Sequence, residues 1–195
     1  MRKLEDLVQR AKKLKEKGLT TGEIADELNI SRETALWLLT QGDIAPADIY
    51  VSWRNVAKSG ERIAHIASIM ADMIEEISEP EVVIGVATSG VPLATFVAEE
   101  LDCSLAIFYP KKLKWESEEE KRLEGIISEN FARIDGRKCV VVDDVISTGR
   151  TIEDVATYAK KRDAEVECAC VIVDKQGRDR IAGIPVMSVF RIIRL

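Results

Sequence analysis

The sequence predicts an α/β domain, a mainly parallel sheet flanked by helices, preceded by a small all-α domain. Three observations lead there. From Val82 onward, short β-branched runs alternate with amphipathic stretches, as buried parallel strands and their connecting helices do. Residues 1–42 show helical spacing only. The charge divides at the same place: residues 1–42 hold eight Lys or Arg against seven Asp or Glu, a balance of +1, and residues 43–195 hold 20 against 27, a balance of −7. The larger part should therefore repel nucleic acid, while the amino-terminal part should not.

With 195 residues, 46% hydrophobic and 32% charged, and only 11 Gly and 5 Pro, the chain is globular rather than disordered or fibrous. No run approaches the roughly 18 apolar residues that span a bilayer. Acidic residues interrupt what would be the apolar part of a signal peptide in MRKLEDLVQR, so a cytoplasmic protein is expected. Cys103, Cys139, Cys168 and Cys170 lie among apolar residues without paired metal-ligand spacing, and no cysteine is near His65. Buried thiols in a reducing compartment are expected, with no metal held directly by side chains.

Leu4, Leu7, Val8, Ala11 and Leu14 recur at helical spacing, and Arg10, Lys12, Lys13, Lys15 and Lys17 give the first helix a basic outer face before Gly18 closes it. Thr20 with Glu23 fits a capping box for a second, short helix that carries Ile24, Ala25 and Leu28 inward. Asn29 suits the left-handed conformation of a tight turn, and Ser31 can cap a third helix from Arg32 to about Gln41. At about 100° per residue, Ala35, Leu38 and Leu39 face the core, leaving Glu33, Trp37, Thr40 and Gln41 on the opposite side.

The stretch GLTTGEIADELNISRETALWLLT, Gly18 to Thr40, resembles the helix-turn-helix of bacterial and archaeal DNA-binding regulators. It departs from that pattern at Asn29, where Gly is commoner, and at Ala35, where a β-branched residue is usual. The resemblance implies that the third helix enters the major groove, with Arg32, Glu33, Thr34, Trp37, Thr40 and Gln41 as the expected DNA-contacting residues. Arg32 is the only basic residue of that helix, so phosphate contacts fall largely to the first helix. A three-helix protein-interaction module is the alternative. For Trp37 it is a contact with the second domain or a dimer partner.

Gly42 and Pro46 break the helical pattern, which places a linker over QGDIAPAD and a domain boundary between residues 42 and 43. A short β-prone segment, Ile49 to Trp53, follows. Ile63, Ile66, Ala67, Met70, Met73, Ile74 and Ile77 then mark a long helix, with His65 off its apolar stripe. Val82–Val86, Leu105–Phe108, Cys139–Val142, Val166–Val173 and Val186–Phe190 read as strands; Pro92–Leu101 and Thr151–Arg162 read as connecting helices. Ligands of such sheets bind beyond the carboxyl ends of the strands.

The strand at Val140 to Val142 runs into Asp143 and Asp144, then Ser147, Thr148, Gly149, Arg150 and Thr151 at the start of a helix. Adjacent carboxylates accept hydrogen bonds from a vicinal diol, and hydroxyls with N–H groups at a helix amino terminus receive a phosphate dianion. A sugar phosphate satisfies both halves. GVATSG, Gly85 to Gly90, ends the first sheet strand in a loop whose backbone can approach an anion. Val91 stands where a P-loop lysine would be, so an NTPase is excluded.

VVVDDVISTGRT closely resembles the diphosphoribosyl-binding signature of type I phosphoribosyltransferases, and GVATSGVPLA looks like the orotate branch of that family. The resemblance implies a type I phosphoribosyltransferase-like fold. It also implies that Asp143 and Asp144 hold the ribose hydroxyls of phosphoribosyl diphosphate and that Ser147 to Thr151 wrap its 5′-phosphate. Ala87, Thr88, Ser89 and Gly90 would receive the diphosphate, and magnesium would ride on the ligand. The polar insertion between Pro110 and Lys138 reads as a solvated charged hairpin. By resemblance it occupies the catalytic loop of the orotate enzymes, with Lys111, Lys112 and Lys114 as catalytic groups if the protein is an enzyme.

Two departures concern the nucleobase. Orotate enzymes carry Asp-Arg where this chain has Asp174 and Lys175, and lysine is a point donor without arginine's planar fork. The helix-turn-helix also replaces the amino-terminal region that covers orotate. Over essentially its whole length, including DKQG at 174–177, the sequence is similar to the archaeal orotate-phosphoribosyltransferase-like transcriptional regulators of the GfcR family, linked to sugar catabolism. That resemblance implies a homodimer or higher oligomer that binds DNA and senses a sugar phosphate at Asp143, Asp144, the two loops and Lys175.

Overall fold

The computed structural model describes residues 2–40, 48–110 and 125–193. They form two compact units that divide between Trp53 and Arg54.

The first unit contains α1 (Arg2–Glu16), α2 (Thr21–Glu27) and α3 (Arg32–Thr40). Leu7, Val8, Ala11, Ile24, Ala25, Leu28, Ile30, Ala35 and Leu38 form its core, with Leu14, Trp37 and Leu39 packed at the margin. Leu4 stands outside it, 49% exposed, one turn before the stripe meets the other helices. The expected capping box is present: Glu23 N–H donates to Thr20 Oγ1 at 3.3 Å and Thr20 N–H donates to Glu23 Oε2 at 2.6 Å. Asn29 adopts φ +53° in the turn, and Ile30 N–H closes it onto Ala25 O at 2.9 Å.

Residues 48–53 form no strand. Asp48 Oδ2 accepts from Ser31 N–H at 2.6 Å and from the Thr34 hydroxyl at 3.1 Å, and Tyr50 OH accepts from Arg10 at 2.6 Å. A β-prone run extends into a sheet only where a free edge receives it. This one instead straps the helical unit and caps α3.

The second unit runs α4 (Arg54–Ala57), α5 (Gly60–Glu75), β1 (Val82–Val86), α6 (Gly90–Glu100), β2 (Ser104–Tyr109), β3 (Ile126–Ile127), β4 (Lys138–Ile146), α7 (Arg150–Lys160), β5 (Glu165–Asp174), β6 (Arg180–Ile181) and β7 (Ile184–Arg191). The sheet order is β3-β2-β1-β4-β5-β7-β6, parallel throughout except for the short outer strands β3 and β6. Its central strands are continuous apolar runs because helices cover both faces. Buried Ile63, Ala67, Met70 and Ile74 form the inward stripe of α5, while His65 is exposed as expected. Ile77 lies past the helix end and is exposed. On α7, buried Tyr158 meets Phe108 edge-on at 5.7 Å.

The sequence predicts a strand that ends at Val142; β4 instead continues to Ile146. The reason is its second neighbour: β1 pairs with β4 only as far as Gly85 opposite Val142, whereas β5 stays paired to Ile146 opposite Asp174. Asp143 and Asp144 are therefore in the strand, at the point where one of its edges has opened.

Candidate functional site

The chain leaves β1 toward β2 on one side of the sheet, and β4 lies on the other, so the strand order reverses between β1 and β4. A crevice opens at the carboxyl ends of strands at such a reversal. Here two glycines let the backbone close on it. A Cβ at Gly85 would lie 2.7 Å from Ala94 Cβ, so its absence seats α6 on β1. A Cβ at Gly90 would lie 2.7 Å from Val142 O and 3.0 Å from both Asp143 Cα and Asp143 Oδ1. The chain after β1 thus lies along the opened edge of β4, leaving no room for a side chain at Gly90 beside the first carboxylate.

Ala87 in that loop is buried, Thr88 and Ser89 are exposed, and the Ala87–Thr88 peptide is cis. Ser89, at the start of α6, makes no side-chain cap. Asp143 is half-buried and Asp144 buried; Asp143 Oδ1 accepts Asp144 N–H, and Asp144 Oδ1 accepts Val145 N–H, each at 2.9 Å. These bonds orient both carboxylates before any ligand arrives.

Gly149, at φ +83°, stands at the N-cap of α7 and offers no side chain to it. Thr148 Oγ1, just before it, accepts Arg150 N–H at a long 3.5 Å. The amino ends of α6 and α7 thus follow adjacent strands, and at each the helix dipole and N–H groups meet no firm side-chain cap, an arrangement suited to anions. Ser147 and Thr151 are half-buried, and Thr148 and Arg150 are exposed.

Lys175 follows β5, half-buried, and its N–H donates to Ile146 O at 2.9 Å. Next to it, the Gln176 side chain donates to the Ser147 carbonyl. Gln176, within DKQG, is a further functional candidate that the sequence does not single out. Lys111, Lys112 and Lys114 lie outside the described residues.

Among the described residues, no group of three or more His, Cys, Asp or Glu could hold a metal ion. Burial pushes the thiols of Cys139, Cys168 and Cys170 up to about 12, so they stay protonated and are poor ligands at neutral pH.

In the helical unit, Arg32, Glu33 and Thr40 are exposed on α3, as expected, and Gln41 lies outside the described residues. Thr34 does not face outward. It is buried, and its hydroxyl joins Ser31 Oγ at 2.8 Å and Asp48 Oδ2, because the N3 position of a helix turns back to its own cap. Trp37 is half-buried against the core, and Leu36, absent from the expected set, is 54% exposed. The Arg32 guanidinium lies over α2, 3.1 Å from where a Cβ of Gly22 would stand. Lys12, Lys13, Lys15 and Lys17 line the outside of α1 and the residues just past it.

Residues 52–193 match the model of the phosphoribosyl transferase domain. The transcriptional regulator GfcR of Archaeoglobus fulgidus is 54% identical over 198 residues, covering 100% of both chains. This chain belongs to the GfcR family of transcriptional regulators. A GfcR from Haloferax volcanii is 37% identical across 100% of this chain and 99% of its own. Of solved structures, adenine phosphoribosyltransferase from Thermoanaerobacter pseudethanolicus superposes with a TM-score of 0.60 at 17% identity, covering 77% of this chain and 91% of that one. Orotate phosphoribosyltransferase from Mycobacterium tuberculosis gives 0.57 at 20% identity, over 73% and 77%. These last two show the fold alone: the α/β unit has the type I phosphoribosyltransferase fold, as expected.

Proposed function

We propose that this chain is a cytoplasmic, DNA-binding regulator of central sugar or nucleotide metabolism whose α/β unit binds phosphoribosyl diphosphate or a related sugar phosphate. The observation that carries this is the meeting of Asp143, Asp144, the 87–90 loop and the amino end of α7 at the strand-order reversal. The acidic pair suits the ribose diol, Ser147 to Thr151 suit the 5′-phosphate, and Ala87 to Gly90 suit the diphosphate. Magnesium fits as a passenger: its hydrated shell suits the hard oxygens of Asp143 and Asp144, and the diphosphate would bind it and share its charge.

DNA binding rests on α1 to α3, with Arg32, Glu33, Trp37, Thr40 and Gln41 on or beside the reading helix and the α1 lysines on phosphates. As a homodimer, the protein would present two reading helices to half-sites about 34 Å apart or a multiple of that. Ligand binding regulates only if it favours one arrangement of those heads over another.

Calorimetry with magnesium phosphoribosyl diphosphate tests the site: micromolar binding, lost in an Asp143→Asn, Asp144→Asn variant, is the expected result. Wild-type protein that shows no binding overturns it. Fluorescence anisotropy on DNA fragments selected from a random pool tests the regulator, and weak, sequence-blind binding at roughly physiological salt overturns that part. The intact Asp143–Asp144 pair also favours a second reading, an active transferase using Lys111, Lys112 or Lys114. Diphosphate release on adding orotate or another nucleobase would establish it.

A further inference from the structure

The segment after β5 grips the α7 loop at two points. Gln176 Nε2 donates to the Ser147 carbonyl, and Ile181 of β6 lies against Gly149, its Cδ1 3.0 Å from where a Cβ would stand. The segment is itself firmly tied down. Asp174, fully buried, accepts Gln176 N–H at 2.8 Å and Gly177 N–H at 3.1 Å on Oδ1. Its other oxygen, Oδ2, has no hydrogen-bond partner among the described residues and faces Arg191 Nε at 3.6 Å. Its carbonyl accepts Ile192 N–H at 2.8 Å. Gln176 is therefore a polar arm on a rigid base, reaching across to a loop on the neighbouring strand.

We propose that Gln176 is a positioning residue for the sugar-phosphate loop, a role that rests on the ligand reading above. The Ser147 carbonyl shares one planar peptide with Thr148 N–H, so holding the oxygen also holds the N–H pointing the other way. A loop that offers several N–H groups to one dianion binds tightest when they are aimed in advance, because ordering it on binding subtracts from affinity. Gln176 aims the first of these donors, and Ile181 against Gly149 fixes the last before α7. Gln176 touches no ligand in this role; it acts through Ser147.

Calorimetry on the full chain with ribose 5-phosphate and, separately, with magnesium diphosphate tests this in the wild type, Gln176→Met and Gln176→Ala. Met keeps about the length and volume of the side chain and removes its amide, the Nε2 donor included, so it guards against an effect of lost volume. The expected result is about tenfold weaker ribose 5-phosphate binding in both variants, the effect of one hydrogen bond, with diphosphate affinity unchanged. If the wild type binds ribose 5-phosphate and the variants bind it equally well, the role of Gln176 is overturned. Equal weakening of both ligands also overturns it, because it marks general damage rather than aim. A wild type that does not bind ribose 5-phosphate at all overturns the ligand reading itself.

Discussion

The helical and α/β units hold their candidate functional groups in opposite ways. In the α/β unit the groups are built into the backbone frame: Asp144 and Asp174 are buried, and Gly90 is pressed against Val142 O and Asp143. In the helical unit they lie on the outer side of a helix, where Arg32, Glu33 and Thr40 are all exposed. In a built-in site, packing of the strand and loop backbones fixes where the residues lie, even those whose side chains are exposed. A surface site depends on helical phase, where each residue turns the face by about 100°.

That difference is broken most sharply in the core of the helical unit. Leu38 is completely buried there, and Leu38→Ala should cost about 2–5 kcal/mol, much of the stability available to so small a unit. Chemical denaturation followed by the fluorescence of Trp37, with Trp53→Phe and Trp115→Phe in both proteins, should show that loss, and DNA binding should vanish. Sugar-phosphate binding measured by calorimetry should be retained. If it falls as well, the two units are not energetically separate.

Gly90→Ala tests the other side of the comparison. The added Cβ meets backbone atoms at 2.7 Å and 3.0 Å, which must shift because no flexible side chain can give way. The expected stability cost is about 1–3 kcal/mol, with a larger proportional effect on ligand affinity because Asp143 moves with its backbone. Unchanged affinity would mean that the loop and the acidic pair do not form one site.

Two substitutions on α3 sharpen the point about phase. Thr34→Val removes a buried hydroxyl that joins Ser31 and Asp48, and should cost about 1 kcal/mol in thermal unfolding while altering DNA contacts only indirectly. Leu36→Ala, at an exposed position, should leave stability within about 0.5 kcal/mol. A stability ranking in the reverse order would mean that α3 is rotated from the orientation described.

The same contrast explains what could be read in advance. The Asp143–Asp144 pair, the 87–90 loop and α7 were legible because their residue types announce the chemistry wherever β4 ends. The true end of β4 was not, since it depends on β5 remaining paired after β1 stops. Ile49 to Trp53 have strand-forming residues, but their destination was decided by Asp48 capping α3, a contact 17 residues away in sequence. Ala35 and Leu38 are buried as the apolar pattern predicts, whereas Thr34 turns inward because its hydroxyl joins Ser31 and Asp48, partners that the pattern does not reveal. Gln176 was hidden because its partner is a backbone carbonyl, and no residue type at Ser147 signals that one is needed.

The smallest effect separates local from tertiary stabilisation in the helical unit. Hydrogen bonds from Thr20 hold the Glu23 carboxyl below the usual carboxylate range. A depressed native pKa contributes stability that is complete above the unfolded value and is lost as pH falls through the folded one. Glu23→Gln should therefore cost about 0.5 kcal/mol near neutral pH, from a lost charge at the amino end of α2. The difference between wild type and variant should be flat down to about pH 5 and shrink below it, as the carboxyl protonates. Thermal unfolding of both proteins from pH 7 to pH 3 reads this directly. A difference that persists undiminished at pH 3 would assign the effect to packing of the side chain, because only the charged cap titrates away.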